Sequence, residues 1–182
     1  MELTYEPLRR EDAAALGAFL SAHPWPFHAG GRPDAEDVAR RVRAGEFDGP
    51  DVRTTWVLLD GLRCGVVRAF DLEDATPLFD LRLAEDARGQ GIGTRVVAWL
   101  AHELFTSFAH VQRVEATTRA DNAAMRALLR ANGFVKEAHY RRAWPAEGAG
   151  RRARPHDAVG YALLREDWRT GERTPVEWDD EP

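Results

Sequence analysis

Apolar residues recur every four positions from Ile92 to Phe108, through Val96, Leu100 and Leu104, and Val97, Ala101 and Phe105 form the ridge beside them. Arg95 and Glu103 fall outside that stripe, so the spacing predicts an amphipathic helix with one buried face. Just upstream the pattern changes. Leu78, Phe79, Leu81 and Leu83 make an apolar run of strand length, followed by a polar corner at 84–86 and the glycine-rich turn ARGQGIGT at 87–94. In a strand–turn–helix unit the N–H groups of the first helical turn point into the gap beyond the strand. Gly89, Gly91 and Gly93 place no side chain in the way of an anion, which makes the corner a candidate phosphate site. The plainer reading is a tight turn whose glycines only relieve crowding.

The rest of the pattern divides around this unit. Residues 3–8 alternate weakly and predict a first strand, and 11–22 predict a helix with Leu16, Phe19 and Leu20 on its apolar face. Pro24 and Pro26 forbid its continuation, leaving a loop at 23–33 that carries two histidines and two aromatics. Asp34, with Asp37 three residues on, resembles a capping box for a second helix ending near Arg43. Residues 54–59 and 63–70 read as strands joined by an Asp60-Gly61 hairpin turn. With 78–83 they give a four-strand meander. Beyond the long helix, Val114 and Ala116 alternate with Glu115 and Thr117 in a fifth strand. Asp121 or Asn122 then caps a short helix with Met125, Leu128 and Leu129 as its apolar residues and Arg126 and Arg130 facing out. Asn132-Gly133 ends it in a left-handed turn. A long strand at 134–144 pairs with 159–164. The connection at 145–156 carries Arg151, Arg152 and Arg154, and reads as a solvated loop or as a positive lip for an acidic substrate or a phosphate.

The 182 residues fit one domain over 1–168 with a polar tail over 169–182. A net charge of -5 argues against nucleic acid as a partner. Cys64 is the only cysteine, which excludes an internal disulfide and a multi-cysteine metal site, and no metal is expected. Its apolar surroundings read as a buried strand thiol. The start, MELTYEPL, lacks a basic leader region, and no run approaches a membrane span, so a cytoplasmic protein without a membrane partner is expected. The pattern leaves oligomeric state open, and a homodimer is compatible with it.

A P-loop would need Lys and then Ser or Thr after the last glycine, and a dinucleotide fingerprint a third glycine at Thr94; neither fits. Arg88, Gly91 and Gly93 instead fill the pattern Arg/Gln-x-x-Gly-x-Gly/Ala between a strand and a long helix. About thirty residues on come Asn122-x-Ala124, Leu129 and Gly133-Phe134, and the chain nears its end with DAVGYALLREDW at 157–168. Together these resemble the GNAT superfamily of N-acetyltransferases, most closely the branch containing ribosomal-protein N-terminal acetyltransferases. The resemblance covers 3–168 and is firm over 78–134.

It implies an α+β fold, a mostly antiparallel mixed sheet of about seven strands flanked by about four helices. It implies acetyl-CoA as co-substrate, with Leu81, Leu83, Arg88, Gly89, Gln90, Gly91, Ile92, Gly93, Thr94 and Asn122 around it. The acceptor would be a primary amine, on a peptide N-terminus or a small molecule, with Trp25, Phe27 and His28 as contacts. Otherwise Trp25 and Phe27 plug the core, and His23 and His28 are solvated.

A lysine-like amine, with a pKa of about 10.4, arrives protonated at neutral pH, so a base within reach helps its attack on a thioester. The carbonyl oxygen needs a donor, which the family commonly supplies from a main-chain N–H, here around Leu83. The chain departs from the family at both proton-handling positions. No glutamate stands near Pro77 or Leu78, and Leu129 and Met125 occupy the places of a helix tyrosine or serine. Asp80 and Glu115 remain as candidate bases, with Tyr140, beside His139, as candidate donor. Partial burial is expected to raise the Asp80 pKa. Structural roles stay open for both acids: Asp80 pairing with Arg82 or Arg113, and Glu115 with an arginine across the sheet. A peptide α-amine, with a pKa of about 7.7–8.0, would need less help. The alternative function is a catalytically silent acyl-CoA-binding regulatory module.

Overall fold

The computed structural model describes residues 1–146 and 154–178. A seven-stranded sheet runs through it in the order β1-β2-β3-β4-β5-β7-β6. β1 (Leu3–Pro7), β2 (Val52–Leu59), β3 (Leu62–Phe70) and β4 (Leu78–Leu83) are the expected meander. Asp60 and Gly61 turn its central hairpin, both at positive φ (49° and 81°), as a two-residue turn matching strand twist requires. β5 (Arg113–Arg119), β6 (Val135–Trp144) and β7 (His156–Leu164) complete the sheet, with β7 antiparallel to both neighbours.

Strand alternation sorts the core into two layers. Trp56, Leu58 and Val66 face α1 (Ala13–Ala22) and α2 (Ala35–Arg43), packing on Leu16, Leu20, Val38 and Val42. Val57, Val67 and Phe79 face the other way, into the core built on α3 (Ile92–Ser107) and Leu129 of α4 (Ala123–Ala131). The four-residue stripe of α3 is this buried face. Asp34 caps α2 by accepting from the Asp37 N–H at 2.9 Å. The Asp37 carboxylate pairs with Arg40 instead of reaching back, so only half of the box forms.

The α+β architecture with its mixed sheet is as expected, with one helix more. α5 (Arg165–Thr170) begins where the sequence pattern suggested only an exit. Glu166 and Asp167 suit its first turn, and Gly171 at φ 77° ends it. The guanidinium of Arg165 donates to the carbonyls of Phe105, Phe108 and Val111 at 2.6–2.7 Å, holding the end of α3 and the approach to β5. The tail boundary drawn at Trp168 falls inside this helix, and the Thr174 N–H still donates to Asp167 at 3.1 Å.

One seam differs from all the others. β4 and β5 are parallel and in register at one pair, Leu78 opposite Glu115, beyond which they part. Among the described residues no helix is long and apolar enough to cross a membrane. Nor does any group of three or more His, Cys, Asp or Glu side chains among them form a place for a metal ion.

Candidate active site

The parting of β4 from β5 opens a cavity of about 500 Å³. Its floor is the edge of β4, where Leu81 and Leu83 line it. The Ala84 N–H donates to the Cys64 carbonyl at 2.8 Å, so even-numbered residues of β4 aim their main-chain groups at β3. Leu81 and Leu83 are out of phase and aim theirs into the opening. The Leu83 carbonyl, on that same edge, takes the Arg88 Nε–H at 2.9 Å.

At one end of the cavity stands the glycine turn. Gly89 and Gly91 hold φ of 73° and 77°, a conformation side chains resist. Gly91 is the N-cap of α3 and provides no side-chain cap, so the first-turn N–H groups have no side-chain acceptor. A Cβ at either glycine would meet nothing within 4 Å, so the approach is open. Gly93 serves packing as well, since a Cβ there would sit 2.7 Å from Leu128 Cδ1, which would have to shift. Gly89, Gly91, Gly93 and Thr94 line the cavity. Ile92 is buried in the core instead, and Gln90 turns its amide to the Asp86 carbonyl at 2.5 Å.

Arg88 lines the cavity, but two of its donors are turned inward. Besides the Leu83 carbonyl it reaches Pro24 O at 2.8 Å, tying the loop after α1 to the end of β4. Trp25 locks the same junction: its Nε1–H donates to Leu20 O at 2.7 Å, and Arg82 and Arg88 each stand 5.4 Å from its ring. Trp25 therefore plugs the core and forms the cavity wall at once. Phe27 lines the wall beneath the Arg119 guanidinium at 5.1 Å.

Asn122 caps α4, accepting from the Met125 N–H at 3.1 Å, and its amide donates to Thr118 Oγ at 3.0 Å. It reaches the cavity edge with Met125 and Leu128, the two apolar positions of α4 that Leu129 leaves outside the core. Arg126 does not simply face out. It folds back to the Ala120 carbonyl at 2.8 Å and the Tyr161 hydroxyl at 3.3 Å.

The two candidate bases differ in placement. Asp80 stands on the β4 face opposite Leu81, with Oδ1 2.8 Å from His28 Nε2 and Oδ2 2.9 Å from Arg82 Nε. The expectation of a raised pKa is overturned. Burial pushes the carboxyl up, but the His28 hydrogen bond and the Arg82 charge outweigh it and hold Asp80 down at about 2. With Asp80 ionised, His28 Nε2 is the donor, which leaves Nδ1, buried and without a partner. His28 is thus not a solvated loop residue; it lines the cavity.

Glu115 pairs with Arg113 of its own strand at 3.0 Å and does not line the cavity. Arg113 also holds Glu137 of β6 at 2.6 Å. Tyr140 is half exposed on β6, and His139 pairs with Asp157 at 2.8 Å, also away from the cavity. Of the arginine lip, Arg151 and Arg152 lie outside the described residues.

A profile of the acetyltransferase (GNAT) domain matches residues 2–135. The chain belongs to the GNAT acetyltransferase family. Solved structures share the fold of this GNAT domain. A chimera of Vibrio cholerae spermidine N-acetyltransferase SpeG with hSSAT aligns at a TM-score of 0.80 and 16% identity, over 93% of this chain and 99% of its own. RimL, a ribosomal L7/L12 alpha-N-protein acetyltransferase in complex with coenzyme A, aligns at 0.72 and 19%, over 89% and 93%. A GNAT-family acetyltransferase from Streptococcus pneumoniae aligns at 0.68 and 19%, over 90% and 99%. No protein of curated function matches the sequence. In this GNAT domain Arg82 lines the same cavity as Gly89, Gly91 and Gly93. Its alternation with Asp80 on one strand face was the only signal in the sequence.

Proposed function

We propose that the protein moves an acetyl group from acetyl-CoA to a primary amine by direct attack on the thioester. One observation carries this reading: a single cavity joins the uncapped N-terminus of α3, the outward main-chain edge of β4 and the loop holding His28. These are the places where a pyrophosphate, a thioester carbonyl and an attacking amine are needed in turn. The first-turn N–H groups of α3, reached past Gly89 and Gly91, would hold the pyrophosphate. The chain of the ligand would run between β4 and α4, against Leu81, Leu128 and Met125. The N–H of Leu83 or Leu81 would donate to the carbonyl oxygen as it gains charge.

Proton removal falls to His28. A carboxyl held at about 2 is a weak base near neutrality, whereas the His28 ring lines the cavity with one nitrogen free of hydrogen-bond partners. Asp80 fixes the ring and the tautomer, and Nδ1 keeps the lone pair. Asp80 is in this reading a positioning residue.

Apolar Met125 and buried Leu129, at the places where many relatives carry an acid, favour a second reading: a silent acyl-CoA-binding module. Thiol release from acetyl-CoA over a panel of amines separates the two. Amine-stimulated release supports transfer. Tight CoA binding with no stimulation by any amine overturns it.

A further inference from the structure

Behind Arg82 lies a second cavity, of about 320 Å³, walled by α1, α2, β3 and β4. Arg82 lines both cavities, so the second adjoins the place assigned to the attacking amine. Its base is apolar, made by Leu16, Leu20, Val38 and Phe47. Its charged lining is one-sided: Arg41, Arg68 and Arg82 face it, with Asp80 as the only acid.

Nearby acids do not satisfy this set. Both Asp80 oxygens are taken, one by His28 and one by Arg82. Glu46 holds Arg41 through Nε at 2.7 Å. Among the described residues Arg68 has no carboxylate within ion-pair distance: one donor goes to the Glu46 main-chain oxygen at 2.8 Å, and its Nε is buried without a partner. Burial and the nearby Arg41 charge push its pKa below the ordinary guanidinium value, against the opposing charges of Asp80, its cross-strand partner, and Glu46. A guanidinium does not deprotonate in response. Such a fork, half-buried beside Arg41 and Arg82 and without an ion-pair partner of its own among the described residues, is complementary to a carboxylate, which it can bind through two parallel N–H bonds.

We infer that the acceptor is a small amine that also bears a carboxylate, seated with its carboxylate on Arg68 and Arg41 and its amine past Arg82 towards His28. The inference rests on the N-acetyltransferase reading for its amine, and on the second cavity alone for its anion. It excludes a polyamine, whose second cation would face three guanidinium groups.

The test compares glycine, β-alanine and γ-aminobutyrate with ethylamine, propylamine, butylamine and spermidine as acceptors for the full chain. At least one carboxylated amine should exceed its plain counterpart in kcat/KM by roughly tenfold or more, as a charge-assisted bond implies. Arg68→Met should remove that advantage by raising KM for the carboxylated amine, with KM for acetyl-CoA and turnover of butylamine unchanged. Arg41→Gln, at a more exposed wall position, should act in the same direction and guards against a folding defect in the first variant. Equal use of carboxylated and plain amines, or a preference for spermidine, overturns the inference and leaves N-acetyl transfer standing. If no amine is acetylated, calorimetry on the CoA-loaded protein decides. Binding of γ-aminobutyrate, absent for butylamine and lost in Arg68→Met, supports the anion pocket without the transferase; no binding overturns it.

Discussion

His28 Nε2 and Asp80 Oδ1, residues 52 positions apart, meet at 2.8 Å and join the loop after α1 to the face of β4. The contact sets one side of the cavity, and Arg82 closes it from the other carboxylate oxygen at 2.9 Å. One carboxylate thus holds the loop, the central strand and the wall shared by both cavities.

The depressed Asp80 pKa fixes a pH window. Its folded value, about 2, lies below the ordinary 3.8, so the stabilisation is present above about pH 4 and is lost as pH falls towards 2. Because 35% of the side chain remains exposed, solvent screening reduces the effect to about 1 kcal/mol. Asp80→Asn should therefore unfold more easily than the parent at neutral pH, with the gap closing between about pH 4 and pH 2. Denaturant melts of both proteins across that range check it; a gap independent of pH would show that charge is not the cause.

Replacing His28 separates base from wall. His28→Gln can still donate to Asp80, so melting should change little, but it cannot take the amine's proton. With a high-pKa amine, kcat should drop roughly 10²-fold near neutrality while KM for acetyl-CoA holds. The deficit should shrink as pH rises and more of the acceptor arrives as free amine. An unchanged kcat with a raised acceptor KM would make His28 a contact only.

Local pattern revealed what local physics fixes. The α3 stripe, the glycine turn and the Asp60-Gly61 hairpin are each set within a few residues and stand where the pattern places them, and of the two caps it offers for α4, Asp121 and Asn122, the second is used. The meander followed from short connections. The site was less legible because its chemistry lies between distant segments. Nothing near Asp80 announces that His28 will hold it ionised, and burial alone pointed to the wrong direction of shift. The glycine-loop pattern assigns Arg88 to a phosphate, yet two of its donors go to carbonyls that tie the loop to β4. The sequence leaves Trp25 as either core plug or acceptor contact, and the structure shows it in the core and on the cavity wall.

Gly91 tests the turn. At φ 77° any Cβ is strained, though it would meet nothing within 4 Å. Gly91→Ala should cost about 1 kcal/mol, whereas Gly91→Asn, which tolerates this conformation better, should cost less despite its larger side chain. If the turn binds pyrophosphate, Asn should impair CoA binding at least as much as Ala, because size rather than strain obstructs the approach. Calorimetry beside thermal melts checks both orders; affinity that tracks stability would mean the glycine matters only for folding.

Asn122 distinguishes a cap from a contact, because its two functional groups are committed differently. The oxygen caps the Met125 N–H and the amide donates to the Thr118 hydroxyl. Asn122→Asp keeps the capping acceptor, and the Thr118 hydroxyl can turn to donate in place of the lost amide. The fold should lose about 1 kcal/mol or less, through partial burial of the new charge. Asn122→Ala loses both bonds and should cost about 1–2 kcal/mol. Affinity should run in the other order. If the cavity receives CoA, a polyanion, the aspartate sets an anion at its edge and should weaken binding more than alanine does. Calorimetry at low and moderate salt decides, since the repulsion must fade as salt screens it. Should CoA bind the aspartate variant as well as the parent at low salt, Asn122 is a cap and nothing more.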